Sequence, residues 1–323
     1  MSGMPAARLT DRTSHASAGA LVGAAAGALV GGLALGPVGA LAGAAVGAIA
    51  GAMLLNIPTG TIIPPCFPPV LVGFLPSARV LDLHQCIIHF TNPNTIVTGS
   101  STVLVGGLPA ARISDKTFCA AEISTGQPNV LIGGPVVLIP FNIQGDTAFV
   151  TEVQKAMATL YGTRTGQVII NDIAASGNTV TIVPTADQNG YCSADDHDAS
   201  HDPSEGSDST VSWNPTYSSP TDPHQTPTIV LGHELVHAHH NATGTHHDGP
   251  HDSYPGQTGS SNRGEERATV GAGGTSVTAP DGTTQTVPDH SADVPTENSL
   301  RDDLGVPRRP SYYPPNWPGG APW

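Results

Sequence analysis

The stretch Pro109-Ala-Ala-Arg-Ile-Ser-Asp115-Lys-Thr-Phe-Cys119 has two relatives in the same chain. One is Pro76-Ser-Ala-Arg-Val-Leu-Asp82-Leu-His-Gln-Cys86; the other is Pro5-Ala-Ala-Arg-Leu-Thr-Asp11-Arg-Thr-Ser-His15. In each copy Arg stands three after Pro, Asp six after it, and a residue able to bind metal ten after it. Such self-similarity marks a repeat architecture, in which no unit buries its apolar face alone. The other half of the unit is an apolar strand: Val70-Leu-Val-Gly73, Val103-Leu-Val-Gly106 and Val130-Leu-Ile-Gly133. The third strand runs into Gly134-Pro135 and meets no Pro-Ala-Ala-Arg, while the first ligand half stands alone near the N-terminus. Residues 4–15 must therefore return to complete the third repeat.

Three short β repeats about a pseudo-threefold axis make a small cone with His15, Cys86 and Cys119 near its tip. Tetrahedral zinc asks for a fourth ligand. Cys86-Ile-Ile-His89 offers His89 with C-x-x-H spacing, and His84 is a weaker candidate.

No Lys, Arg, Asp or Glu occurs between Arg12 and Arg79, and residues 18–55 are almost wholly Ala, Gly, Leu, Val and Ile. Gly36-Pro37 divides the run into two helices, each near the length that spans a bilayer. Glycines four apart, Gly23, Gly27 and Gly31, then Gly39, Gly43, Gly47 and Gly51, suit close helix packing in lipid. The run is too long for the usual ~7–15-residue core of a signal peptide, so this end is expected to be retained.

These motifs resemble the PAAR-repeat proteins, and the N-terminal copy resembles the prePAAR motif of effectors with a transmembrane insertion. The resemblance covers about residues 1–140. It implies that residues 1–17 complete the PAAR fold, that 18–56 form a transmembrane helical hairpin, and that 57–140 form the repeat domain. It also implies a place on the VgrG spike trimer of a type VI secretion system, and an Eag-type chaperone shielding the apolar helices before export.

The second half, 143–323, reads differently. Residues 146–162 have helical periodicity through Phe149, Val150, Val153, Met157 and Leu160. Residues 166–173 and 179–183 read as strands, and 191–225, rich in Asp, Ser, His and Pro, as a long loop. From Pro227 the sequence runs Thr-Ile-Val-Leu-Gly-His233-Glu234-Leu-Val-His237-Ala. On a helix His233 and His237 lie one turn apart on one face, so both can reach one ion, and Glu234 stands beside it as general base. The metzincin spacing fails, because Gly and His are required where His240 and Thr243 stand. The third ligand is expected from Gly264-Glu265-Glu266-Arg267, with Glu266 preferred over Glu265. His246, His247 and His251 are weaker alternatives.

The order His-Glu-x-x-His, then Glu265-Glu266-Arg267, then Glu297-Asn298…Arg301…Tyr312-Tyr313 resembles NleD-like zinc peptidase domains of bacterial effectors and polymorphic toxins. That resemblance implies an α+β, zincin-like metallopeptidase, with Tyr312 or Tyr313, here Tyr313, as the residue that stabilises the oxyanion.

Charge is consistent with this division. The net charge is -14, with +1 from residues 1–140 and -15 from residues 141–323. An acidic domain does not favour nucleic acid, whose phosphates need a basic surface. The expected molecule is a multidomain effector: a β-repeat cone with an inserted apolar hairpin, then an α+β zinc metallopeptidase. It would hold two Zn2+, one structural and one catalytic. Its partners would be VgrG, an Eag-type chaperone, an immunity protein and a target-cell protein, with membrane contact through 18–55. It would act after secretion into a target cell. The rival is a non-enzymatic spike cap whose second half only binds metal or a partner.

Overall fold

The computed structural model describes residues 3–15, 57–88, 93–187, 190–217, 219, 222–247, 263–278, 284–287 and 289–310, with scattered positions between 24 and 48. It divides into two compact units, Met1–Ile139 and Pro140–Trp323.

In the first unit each Pro-x-Ala-Arg copy makes the same turn. The N–H groups of Asp11, Asp82 and Asp115 donate to the carbonyls of Arg8, Arg79 and Arg112, each at 3.1 Å. The third residue of each turn is left-handed: Thr10 at φ 70°, Leu81 at 71° and Ser114 at 72°. A turn with a left-handed third residue normally takes glycine there. Here each Asp carboxylate closes the turn by accepting the N–H of its own Arg, at 2.9, 2.8 and 2.9 Å. It also pairs with that guanidinium.

The copies then lock to one another. Ala7 N–H donates to the carbonyl of Ala111, Ala111 to Ala78, and Ala78 to Ala7, at 2.9, 3.0 and 3.0 Å. A second ring runs from Leu9 to Pro76, Val80 to Pro109 and Ile113 to Pro5. The three alanines are wholly buried with Ile62, Ile96 and Ile123, one from each repeat. Three backbones meet at this ring, which explains why a small side chain stands at its centre. Ala6, Ala110, Val72, Val105 and Ile132 form the next apolar layer.

Two strand halves fold back on their own ligand halves. Phe67–Val72 pairs antiparallel with Leu75–Ser77, and Leu104–Val105 with Leu108–Pro109. The third strand, Gln127–Ile132, pairs instead with Met4–Ala6. The N-terminal segment thus fills the place the broken repeat left open. Most of the apolar stretch 18–56 lies outside the described residues, and among those described no helix is long and apolar enough to cross a membrane.

The second unit is a four-stranded sheet covered by helices. Its elements are β1 (Phe141–Ile143), α1 (Thr147–Tyr161), α2 (Arg164–Ser176), β2 (Val180–Pro184), β3 (Tyr191–Ala194), β4 (Ser209–Trp213), α3 (Pro227–Thr243), α4 (Arg263–Val270) and α5 (Glu297–Asp303). The strand order is β1-β2-β4-β3, with β3 as the antiparallel edge beside otherwise parallel neighbours. A separate hairpin joins Thr275–Thr278 to Thr284–Val287.

Two expectations are corrected. Residues 166–173 are not a strand but the body of α2. Thr163 caps its start by accepting the Gly166 N–H at 2.9 Å, and Gly177 ends it at φ 84°. The β-branched run suggested a strand, yet Ile169, Ile170 and Ile173 lie on one helical face and are buried. Capping and burial override a weak local preference. Nor is 191–225 one long loop: it contains β3 and β4, whose Val211 and Trp213 are core residues. Intervening polar segments hid these strands. The helix expected at 146–162 and the strand at 179–183 are present as α1 and β2.

Candidate metal centres

The tenth-position residues of the three repeats meet in the first unit. One ligand atom from each of His15, Cys86 and Cys119 lies within 4.8 Å of the others. The Cys86 thiol is 4.0 Å from His15 Nδ1. Zinc at about 2.3 Å from sulfur and about 2.0–2.1 Å from nitrogen sets tetrahedral ligands about 3.6 Å apart. The trio therefore fits an ion after a small contraction. Burial works against ionisation of Cys119, but hydrogen bonds with His84 and Thr117 outweigh it and bring the thiol down to about 5. The thiolate is the form that binds metal. His84, wholly buried, sets Nδ1 3.9 Å from Cys119 Sγ while its Nε2 meets Thr13 Oγ1 at 2.5 Å. His89 lies outside the described residues. Cys66 belongs to the alanine–isoleucine layer, where burial pushes its thiol up and keeps it neutral.

The second centre is built on α3. Thr226 caps this helix, Pro227 occupies its first turn, and Gly244 ends it at φ 65°. Ile229, Val230, Leu235 and Val236 are buried, as expected for a helix carried through the core. His233 and His237 are buried with ring centroids 4.8 Å apart and Nε2 atoms 3.2 Å apart. The short helix α4 brings Glu266 to them: its Oε2 is 3.1 Å from His233 Nε2 and 3.4 Å from His237 Nε2. Ligands about 2.0–2.1 Å from a tetrahedral zinc sit about 3.3 Å apart. All three separations match, so these residues fit the ion.

The remaining ring nitrogens are held by carboxylates. His233 Nδ1 lies 2.9 Å from Glu297 Oε2, and His237 Nδ1 lies 2.7 Å from Glu265 Oε1. Glu265 Oε1 also meets His240 Nδ1 at 2.7 Å and accepts from Thr269 Oγ1 at 3.1 Å, while Oε2 accepts the His247 N–H at 2.9 Å. The neighbouring glutamates are thus divided: Glu266 faces the Nε2 atoms and Glu265 lies behind His237. Such outer carboxylates fix ring orientation and leave Nε2 as the basic nitrogen. Glu297 is wholly buried, stands at the capped start of α5, and is neutralised by Arg301 at 2.7 Å and Arg309 at 3.1 Å. Burial alone would raise its carboxyl, but His233 and the two arginines hold it down at about 2. Glu265 and Glu266 are likewise held low by their histidines against the effect of burial.

Glu234 differs from these three. It is buried on α3 next to His233, and burial pushes its carboxyl above the ordinary value. A Cβ built at Gly190 would fall 2.6 Å from Glu234 Cγ, so the segment entering edge strand β3 lies directly over this side chain. Tyr312 and Tyr313 lie outside the described residues, as does His251.

Sequence reasoning gave no role to Glu297, Arg301, Arg309, His240 or Gly190. The first three lay in a block noted only for its order along the chain. Gly190 left no signal, since its importance is a contact across the fold.

Comparison with known proteins agrees with both halves. Residues 139–312 match the peptidase M91 model, described as "Effector protein", and residues 56–125 match the PAAR motif. No curated protein matches the chain. Among solved structures, the light chain of Clostridium botulinum neurotoxin serotype F is similar over 45% of this chain and 44% of that one, at 16% identity and a TM-score of 0.25. The chain therefore spans less than half the length of that neighbour, and the overlap is too slight to bear on the site.

Proposed function

The chain belongs to the peptidase M91 effector family, and on that premise we propose that it is a spike-tip effector carrying a zinc-dependent endopeptidase into a target cell. The observation that carries this reading is the convergence of His233, His237 and Glu266 beside the buried Glu234. A bound zinc would supply Lewis-acid polarisation of the scissile carbonyl and a lowered pKa for the attacking water. Glu234 takes the proton from that water and later passes it to the leaving amine. Its place on α3 beside His233 puts its carboxylate next to the centre, where a general base is needed. Glu265 and Glu297 keep the two imidazoles turned toward the centre. The edge strand β3 begins one residue after Gly190 and suits a substrate bound as an added extended strand. Tyr313 is retained as the candidate oxyanion donor.

The first unit supports delivery. Leu71, Leu104 and Leu131, related by the repeat, are each half or more exposed. A threefold set of apolar side chains suits the threefold end of a VgrG trimer. A second zinc at His15, Cys86 and Cys119, with His84 or His89 as fourth ligand, would hold the tip. Leu29, Val30, Leu33, Leu41 and Val46 are exposed, which supports an Eag-type chaperone over residues 18–55 in the producer and membrane contact in the target. We assign the domains as 1–17, 18–56, 57–140 and 143–323. A cognate immunity protein belongs to the same reading where the target is a bacterium.

The test compares wild type with Glu234→Ala, delivered to target cells, by cleavage-site proteomics. New protein termini with wild type alone support the reading. Identical termini and identical toxicity from both would sink it.

A further inference from the structure

Two hairpins of the first unit turn at the equivalent pairs Gly73-Phe74 and Gly106-Gly107, and the third strand runs out into the corresponding pair Gly133-Gly134. The second residue of each pair is left-handed, at φ 69° for Phe74, 83° for Gly107 and 89° for Gly134. Glycine adopts this conformation freely, whereas a bulky residue there is an outlier. Two copies obey the rule and the first does not. Phe74 is also 94% exposed, so no burial within the described fold offsets its strained backbone. A large aromatic held in a costly conformation and pointed at solvent is what a binding anchor requires before its partner arrives.

Its surroundings narrow the partner. Leu71, on the strand leading into this turn, belongs to the threefold apolar set with Leu104 and Leu131. Residues 63–78 carry no Lys, Arg, Asp or Glu, and Arg8 and Arg79, which lie beside Gly73 and Gly106, are already paired with Asp11 and Asp82. The apolar set repeats three times, but the aromatic occurs once.

The geometry points to Phe74 as the single anchor by which this cone inserts into an apolar recess on the threefold end of its spike partner. This rests on the reading of VgrG as that partner. A trimer offers three equivalent recesses and the cone fills one of them. The leucine set supplies the symmetric contact around the axis, and Phe74 supplies the grip.

Binding of the full chain, zinc-loaded and in mild detergent, to the cognate VgrG trimer tests this. The variants are Phe74→Gly, Phe74→Trp and the triple Leu71→Asn, Leu104→Asn, Leu131→Asn. Loss of a central aromatic anchor weakens binding by about tenfold or more, so Phe74→Gly is expected to show that loss. Its unfolding midpoint should hold or rise, because glycine relieves the left-handed backbone. Phe74→Trp should bind nearly as wild type. If Phe74→Gly binds like wild type while the triple variant does not, the anchor is rejected and the spike reading stands. If Phe74→Gly loses affinity and folding stability together, its role is structural and the anchor is again rejected. If wild type itself fails to bind VgrG, both ideas fall.

Discussion

Glu297 Oε2 lies 2.9 Å from Nδ1 of His233, at the buried start of a helix that follows His233 by more than sixty residues. This carboxylate holds one imidazole of the candidate metal centre and is itself balanced by Arg301 and Arg309. Glu297→Gln should cut metal affinity by about 10–100-fold, the usual effect of losing an outer partner. Competition against a calibrated chelator measures it. Unchanged affinity would show that His233 is oriented by packing alone.

Glu234→Gln should retain metal, because His233, His237 and Glu266 are untouched. Turnover should fall by about 10²–10⁴-fold, the contribution of general-base catalysis. Metal content and peptide cleavage are measured on the same preparation. Parallel loss of both would make Glu234 a ligand and not a base.

Gly190→Ala places a methyl where Glu234 Cγ stands 2.6 Å from the built Cβ. Either the entry to β3 or Glu234 must shift. The expected result is lost turnover with full metal occupancy, read by cleavage assay and elemental analysis. Wild-type turnover would show that the strand moves freely and that Gly190 does not position the base.

Ala111→Leu inserts three carbons into the ring formed with Ala7 and Ala78, all wholly buried. Overpacking of this kind costs about 1–3 kcal/mol, and the surrounding backbone is hydrogen-bonded on every side. Thermal unfolding should show the first transition lowered. An unmoved transition would mean that the ring has room it does not display.

Two metal ions should be lost independently. Cys86→Ser should remove the ion of the first unit and leave the second, while His237→Ala should do the reverse. Elemental analysis with X-ray absorption separates sulfur-bearing from nitrogen- and oxygen-bearing environments. A single substitution that empties both centres would contradict two separate sites.

Much of this molecule follows from spacing alone. The Pro-x-Ala-Arg-x-x-Asp copies place turn, ion pair and tenth-position candidate ligand in one register, because those spacings reach only three to ten residues along the chain. The stranded third repeat even required the N-terminal strand to return, and Met4–Ala6 pairs with Gln127–Ile132. The pair His233 and His237 was equally readable, since one helical turn sets their separation. What spacing cannot carry is contact between distant segments. Glu265 and Glu266 are adjacent in sequence, and only the orientation of α4 against α3 turns Glu266 toward both Nε2 atoms and Glu265 toward His237 Nδ1. Residues 166–173 have a strand-like composition, but the Thr163 cap, the Gly177 stop and burial against α3 make them a helix. Glu297 and Gly190 acquire their importance solely from what folds against them. Local geometry sets which residues share a turn or a face, because the chain's own bonds fix those distances. Tertiary packing decides which faces meet, because that choice depends on burying apolar surface and satisfying buried charges across the whole chain at once.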